Sequence, residues 1–361
     1  MKGVPDSVRA ASLHGVHGAH WQAVEPGRAL HWPTPVCAAG EPVDLLRWLA
    51  PAHPDLGVLT VPGGTVHGRA GWVWTADDLL VEDVSWHFDR VSQADAAARL
   101  HTHPTVTLPG RVLSLLTDWG GENHAHLLYD ALPRLDLFER AGGATTDVDT
   151  VLVHERAVTS GWCDELGLPR ERCMIAEPDV RYRCGELLAV SFPGTSKALM
   201  PWAAEFLRVR LPARPPRTGR RRLYVPRTTT RLMRNEAQIA AVLAPFGIEA
   251  IDPESAPHRE VRSWFADAEL IVGPHGAGLA DLVHCRPGAV VLELIPTDHP
   301  FPYWYAAAQA VQADHRYLAC PSTGDRSDDD AGPSVHDAWC DVALLRTALD
   351  RIVLDLAARR Q

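Results

Sequence analysis

From residue 111 onward, short apolar runs alternate with stretches of helical periodicity. Residues 111–116 (RVLSLL), 151–154 and 173–176 read as buried strands. Residues 162–168 and 197–210 read as helices between and after them. The link RVRLPARPPRTGRRR, residues 208–222, is rich in Pro and Arg and marks the best domain boundary. A clearer series follows: strand 223–225, helix 235–246 closed by Gly247, strand 248–251 and helix 259–268. Residues 301–313 and 337–359 carry further helices, and 317–319 a short strand. Before residue 75 the chain is rich in His, Pro and Gly. There we expect a helix over 42–50, short strands over 57–74 and a hairpin turn at Gly63-Gly64.

The most informative stretch is IVGPHGAGLADLVHCRPGAVVLELIP, residues 271–296. An apolar run ends at Gly273-Pro274. His275-Gly276-Ala277-Gly278 then opens a short helix over 279–285, Pro287-Gly288 ends it, and a second apolar run reaches Leu294. This is a βαβ pattern with its glycines in the first turn. Backbone without side chains admits a close ligand, and the helix that follows points its amide end at it, an arrangement suited to phosphate. The alternation along the chain predicts an α/β fold.

Composition narrows the class. The chain has 361 residues, of which 46% are apolar, and a net charge of -10. That is enough for more than one packed domain and argues against disorder and against a polyanionic partner such as nucleic acid. Seven cysteines are scattered without a CxxC, as in a reduced, cytoplasmic protein. No apolar run approaches the ~18 residues of a membrane span. The first residues lack the apolar core of a signal peptide, so peripheral association is the one membrane contact left open. The chain has no GxGxxG, no GxxxxGK[ST] and no GxSxG, which counts against dinucleotide enzymes, P-loop NTPases and hydrolases with a nucleophile elbow.

Three constellations are candidates for chemistry. In DWGGENHAHLLYDALPRL, residues 118–135, Asn123 is placed to cap a helix. His126, Asp130 and Arg134 recur every fourth residue and project together, as a general base and its partners or as a structural His beside an Asp130–Arg134 pair. Pro133 is expected to kink this helix. In RRRLYVPRTTTRLMRNEAQI, residues 220–239, Arg227 and Arg231 follow a strand end, where guanidinium groups suit a diphosphate; the alternative is a solvated basic loop. In the glycine turn, His275, Gly276, Ala277, Gly278 and Leu279 form the phosphate cradle. Glu293 is either an acceptor for ribose hydroxyls or a buried structural carboxylate. The pairs His101-x-His103 and His124-x-His126 raise a metal-dependent hydrolase as an alternative, without an obvious third ligand. Asp77-Asp78 and Asp328-Asp329-Asp330 read as a turn and a solvated loop.

The three constellations occur in an order that resembles glycosyltransferase family 61. The matching residues are Asn123-His124-Ala125-His126 through Asp130-Ala131-Leu132-Pro133-Arg134; Leu223 to Arg227 with Arg231 and Asn235-Glu236; and Gly273 to Leu279 through Glu293. His124, Leu127 and Pro226 depart from the family pattern of an aromatic residue, Trp and Ser. The resemblance implies a GT-B architecture of two Rossmann-like domains. With it go a β-rich segment over 1–75, an acceptor-side domain over 76–212, a donor-binding domain over 213–335 and a terminal helix over 336–361. It also implies inverting, metal-independent transfer from a nucleotide sugar, commonly a UDP-sugar, to a glycan or small-molecule hydroxyl, with no cofactor. His126 or Asp130 is then the base. Arg227, Arg231, residues 275–279 and Glu293 are the donor site, with Asn123 and Arg134 in support. The departures keep a second reading open, a non-catalytic nucleotide-sugar-binding relative.

Overall fold

The computed structural model describes residues 7–68, 70–85, 102–195, 197–215, 220–324 and 336–360. His101 and Asp328 to Asp330 lie outside them. The fold is mixed α/β. By internal contacts it divides into two units. One comprises residues 1–30, 50–196 and 205–211, the other 31–49, 197–204 and 212–361.

The first unit is built on a ten-stranded sheet. Its centre is the Arg181–Val190 strand, a segment not anticipated from the sequence. On one side this strand pairs in parallel with Thr105–Ser114, which continues in parallel to Thr150–Val153 and Cys173–Ile175. On the other side the pairing turns antiparallel. Leu56–Pro62 and Thr65–His67 both lie along the Arg181–Val190 strand. Gly63-Gly64 is therefore not a hairpin turn. It is a break within one edge-to-edge run, where Gly63 takes a φ of 66° and its amide donates to the Gly185 carbonyl. Apart from the short parallel pair of Ser7–Val8 with Leu80–Val81 at the far edge, the parallel pattern expected of a Rossmann-like half covers only one side of this sheet. The helix expected over 42–50 is a single 3-10 turn, Leu46–Trp48.

The second unit carries a six-stranded sheet in which every pairing is parallel. Its order is Glu249–Ala250, Arg221–Tyr224, Ala268–Pro274, Val290–Pro296, Asp314–Cys320 and, from the early chain, Val36–Cys37. Side chains alternate between the faces. Leu270, Val272, Leu292 and Leu294 point to one core, shared with Ile239 and Leu243 of the Glu236–Leu243 helix and with Leu345, Leu349 and Ile352 of the Val342–Ala358 helix. Ile295 and Tyr317 face the opposite core, with Leu45 and Tyr305. Glu293 lies on that second face by the same alternation. A carboxylate thus sits in a strand otherwise made of apolar residues, which marks it for inspection.

Candidate active site

In the first unit, Asn123 caps a helical segment as expected. Its Oδ1 accepts from the amides of Ala125 at 2.9 Å and His126 at 3.4 Å. The segment is not one kinked α-helix. His124–His126 passes into a π-helix over Leu127–Ala131, and Arg134–Arg140 resumes as α-helix. The Leu132 amide reaches back to the Leu127 carbonyl, a one-residue widening that relieves the clash Pro133 would otherwise impose. Leu128, Ala131, Leu132, Leu135 and Phe138 are buried. On the other face His126 Nδ1 lies 2.7 Å from Asp130 Oδ2. With Nδ1–H donating to the carboxylate, Nε2 is the basic nitrogen.

Arg134 takes partners beyond the Asp130–Arg134 pair considered above. It is fully buried, and its guanidinium donates to the carbonyls of Leu116 and Val190. Burial lowers its pKa to about 9, while the negative charge of Asp130 acts in the opposite sense. Arg134 is thus a cation at neutral pH that ties the end of one strand to another and supports the helix carrying His126. His154, not singled out from the sequence, completes the support. Its Nε2 lies 3.0 Å from both the amide and the carbonyl of Thr117. A Cβ on Gly120 would stand 2.8 Å from that ring. The double glycine before Asn123 is thus shaped by His154. Burial lowers the pKa of His154 to about 4.

The two imidazoles of His124-x-His126 take different partners. His124 packs edge-on against Trp162 with ring centroids 5.2 Å apart, whereas His126 binds Asp130. Among the described residues no group of three or more His, Cys, Asp or Glu side chains is arranged to hold a metal ion. Asp77-Asp78 lies in an exposed turn, with Asp78 at a φ of 62°.

In the second unit the glycine turn and the arginine loop form one surface. Ala268–Pro274 and Val290–Pro296 pair in parallel, and the connecting helix, expected as α, is a 3-10 helix over Ala277–His284. Its first bond runs from the Leu279 amide to the Gly276 carbonyl, so the Ala277 and Gly278 amides stand at the open N-terminus. Arg227 crosses the turn. Its Nη1 donates to the His275 carbonyl at 3.2 Å, and its Nη2 to Thr230 Oγ1 at 2.8 Å. A Cβ on Gly276 would fall 1.6 Å from that Nη1. Gly276 is extended rather than left-handed, so its glycine answers to this contact and not to backbone strain. Burial and the neighbouring Arg231 lower the pKa of Arg227 to about 10. Arg231, left-handed at a φ of 52°, is also lowered by burial, with Asp298 acting in the opposite sense. Two half-buried cations beside open amides are an arrangement suited to an anion.

The loop that carries the arginines is held from the C-terminal side. Asp337 Oδ1 accepts from the Leu232 amide at 2.8 Å, and Asp337 Oδ2 pairs with Arg234 at 2.7 Å. Asn235 bonds both the carbonyl and the amide of Cys340, at 2.7 and 3.1 Å. Its side chain therefore does not cap the following helix.

Glu293 does not have the partners expected of a ribose ligand. It is fully buried, with Oε1 2.5 Å from His275 Nδ1 and Oε2 2.7 Å from His315 Nε2. Both oxygens are taken by imidazoles, the structural alternative raised from the sequence. Burial pushes its pKa up, but the hydrogen bonds it accepts from the two histidines outweigh this and hold it below the usual glutamate range. His315 is a further residue missed in the sequence, because only the strand register brings it to Glu293.

No helix among the described residues is long and apolar enough to cross a membrane. No curated protein matches the chain. The model of the family Glycosyltransferase 61 matches residues 124–292, a span that holds His126, Asp130, Arg134, Arg227, Arg231 and the glycine turn.

Proposed function

We propose that the protein is an inverting, metal-independent glycosyltransferase that moves a sugar from a nucleotide donor, with UDP-sugars the first class to test, to a glycan or small-molecule hydroxyl in the cytoplasm. The family match supports glycosyl transfer in general. The observation that carries the finer reading is the contact of Arg227 with the glycine turn. A guanidinium seated against Gly276, with Arg231 beside it and the Ala277 and Gly278 amides at the helix start, supplies fixed positive charge for a departing diphosphate. Such preorganised charge does without a metal what a bound cation does elsewhere. The reading includes a GT-B architecture of two Rossmann-like domains, with the second unit taking the donor and the first supplying the base.

Inversion is a single displacement, so one group must take the proton of the acceptor hydroxyl as the glycosidic bond forms. His126 fits that role and Asp130 orients it, because a carboxylate that holds Nδ1–H leaves Nε2 as the basic nitrogen. Asp130 is the more buried of the two, which leaves His126 better placed to reach an acceptor. The cytoplasmic placement rests on seven unbridged cysteines. Steady-state transfer or donor hydrolysis with a panel of nucleotide sugars tests the site. Arg227→Ala is expected to lower kcat/KM by roughly 10²–10³-fold. His126→Ala is expected to lower kcat by roughly 10²–10⁴-fold with little change in donor affinity. Wild-type turnover in both variants would overturn the assignment.

A further inference from the structure

Behind the glycine turn, three titratable side chains form a buried line across the second unit: His315, Glu293 and His275, at 3%, 0% and 4% exposure. His315 Nδ1 is buried without a hydrogen-bond partner among the described residues. A proton there would be unsatisfied, so His315 carries its proton on Nε2 and donates to Glu293 Oε2. Glu293, with one oxygen fixed by that bond, turns the other to His275 Nδ1. The neutral His275 is thereby held with its proton on Nδ1. Nε2 makes no hydrogen bond to a described residue and keeps a bare lone pair. Burial, with the charges of Arg227 and Arg231, keeps this imidazole below its ordinary pKa.

A neutral acceptor nitrogen beside two arginines is a poor partner for a phosphate, which offers only acceptors of its own. An imidazolium is a good one. We infer that Glu293, anchored by His315, is a positioning carboxylate that lets His275 take up a proton at Nε2 when a nucleoside diphosphate binds, and that Nε2–H then donates to a diphosphate oxygen. The proton comes from solvent and no other bond changes. The bound diphosphate brings the negative charge that favours the imidazolium, and Glu293 forms the ion pair on its inner side. This rests on the proposed reading of the turn as a diphosphate site and adds a protonation event to it. The other groups facing His275 are Arg227 and Arg231 of the loop, and His299 and Tyr303, whose ring centroids lie 5.0 and 6.2 Å from its own.

Titration calorimetry of the full chain with UDP, in buffers of different ionisation enthalpy, counts the protons. At pH 8, where a terminal phosphate is already ionised, wild type is expected to take up about one proton per UDP bound. UDP affinity should fall about tenfold per pH unit just above neutrality. His275→Gln, which leaves His299 and Tyr303 in place, should bind UDP more weakly, take up no proton and show a flat pH dependence. E293Q, which removes the anion but keeps the shape, should take up markedly less than one proton. UDP binding to wild type without proton uptake overturns this inference and leaves the diphosphate site standing, whether or not E293Q folds. Undiminished uptake in His275→Gln overturns it too. Failure of UDP to bind at all removes the diphosphate reading and this inference together.

Discussion

Glu293 and Arg134 show how much a residue's role depends on what the fold places beside it. In the sequence Glu293 ends an apolar run after a glycine turn, a position from which ribose contact is a fair expectation. Its partners are His275, eighteen residues earlier, and His315, twenty-two residues later. Only the parallel register that lays Asp314–Cys320 against Val290–Pro296 brings the latter near. The His126–Asp130 contact, by contrast, was legible, because a four-residue spacing on a helix is local. His154 was not, since it reaches the Thr117 turn across 37 residues. Its burial has a consequence for stability. A histidine held neutral to about pH 4, against about 6.5 when unfolded, resists protonation in the native state while the unfolded chain binds the proton. Stability is therefore full above about pH 6.5 and is lost as pH falls towards 4, by up to about 3 kcal/mol from this group. Urea unfolding at pH 7.5 and pH 5 should show this loss, and His154→Gln should show a smaller one. An equal acid loss in the variant would remove His154 as its source.

At the scale of elements, strong periodicity was readable and close backbone approach was not. The βαβ unit around the glycine turn, the Glu236–Leu243 helix and the Val342–Ala358 helix all follow from apolar spacing and their end signals. The Arg181–Val190 strand escaped because its alternation of Arg181, Tyr182, Arg183 and Cys184 is broken at Gly185-Glu186 before the apolar run begins. That glycine is required by a neighbour: a Cβ on Gly185 would lie 2.8 Å from the Gly110 amide nitrogen, beside the register shift between Leu108 and Arg111. The same blindness turned Gly63-Gly64 into a hairpin. The π-turn before Pro133 was foreseen only as a disruption, not in its form. The terminal helix is an integral part of its unit. Asp341 caps it by accepting from the Ala343 and Leu344 amides, and Leu345, Leu349 and Ile352 fill the core under the sheet. Ile352→Ala should cost about 2–5 kcal/mol in urea unfolding. A loss below about 1 kcal/mol would show that the site collapses around the deletion or that the helix contributes little.

For the whole molecule, the sequence disclosed the class and the order of the signature blocks more readily than the path of the chain. An α/β fold followed from the alternation of strands and helices. That Val36–Cys37 joins the second unit's sheet did not, because a two-residue strand has no periodicity to read. The candidate residues are distributed between the two units. The first unit presents a His126–Asp130 dyad on a capped, π-widened helix. The second presents paired arginines, a glycine turn and a buried His275–Glu293–His315 line. Under the proposed function the first would supply the base and the second the diphosphate site that a single-displacement transferase without a metal requires. The most direct test follows a panel of UDP-, GDP- and dTDP-sugars by proton NMR in the presence of the full chain and simple hydroxyl acceptors, water included, with metal chelated. The account predicts that the anomeric signal of one donor decays while UDP accumulates, and that the first product signal has the opposite anomeric configuration. Retention of configuration, or no donor consumed across UDP-, GDP- and dTDP-sugars, would contradict it.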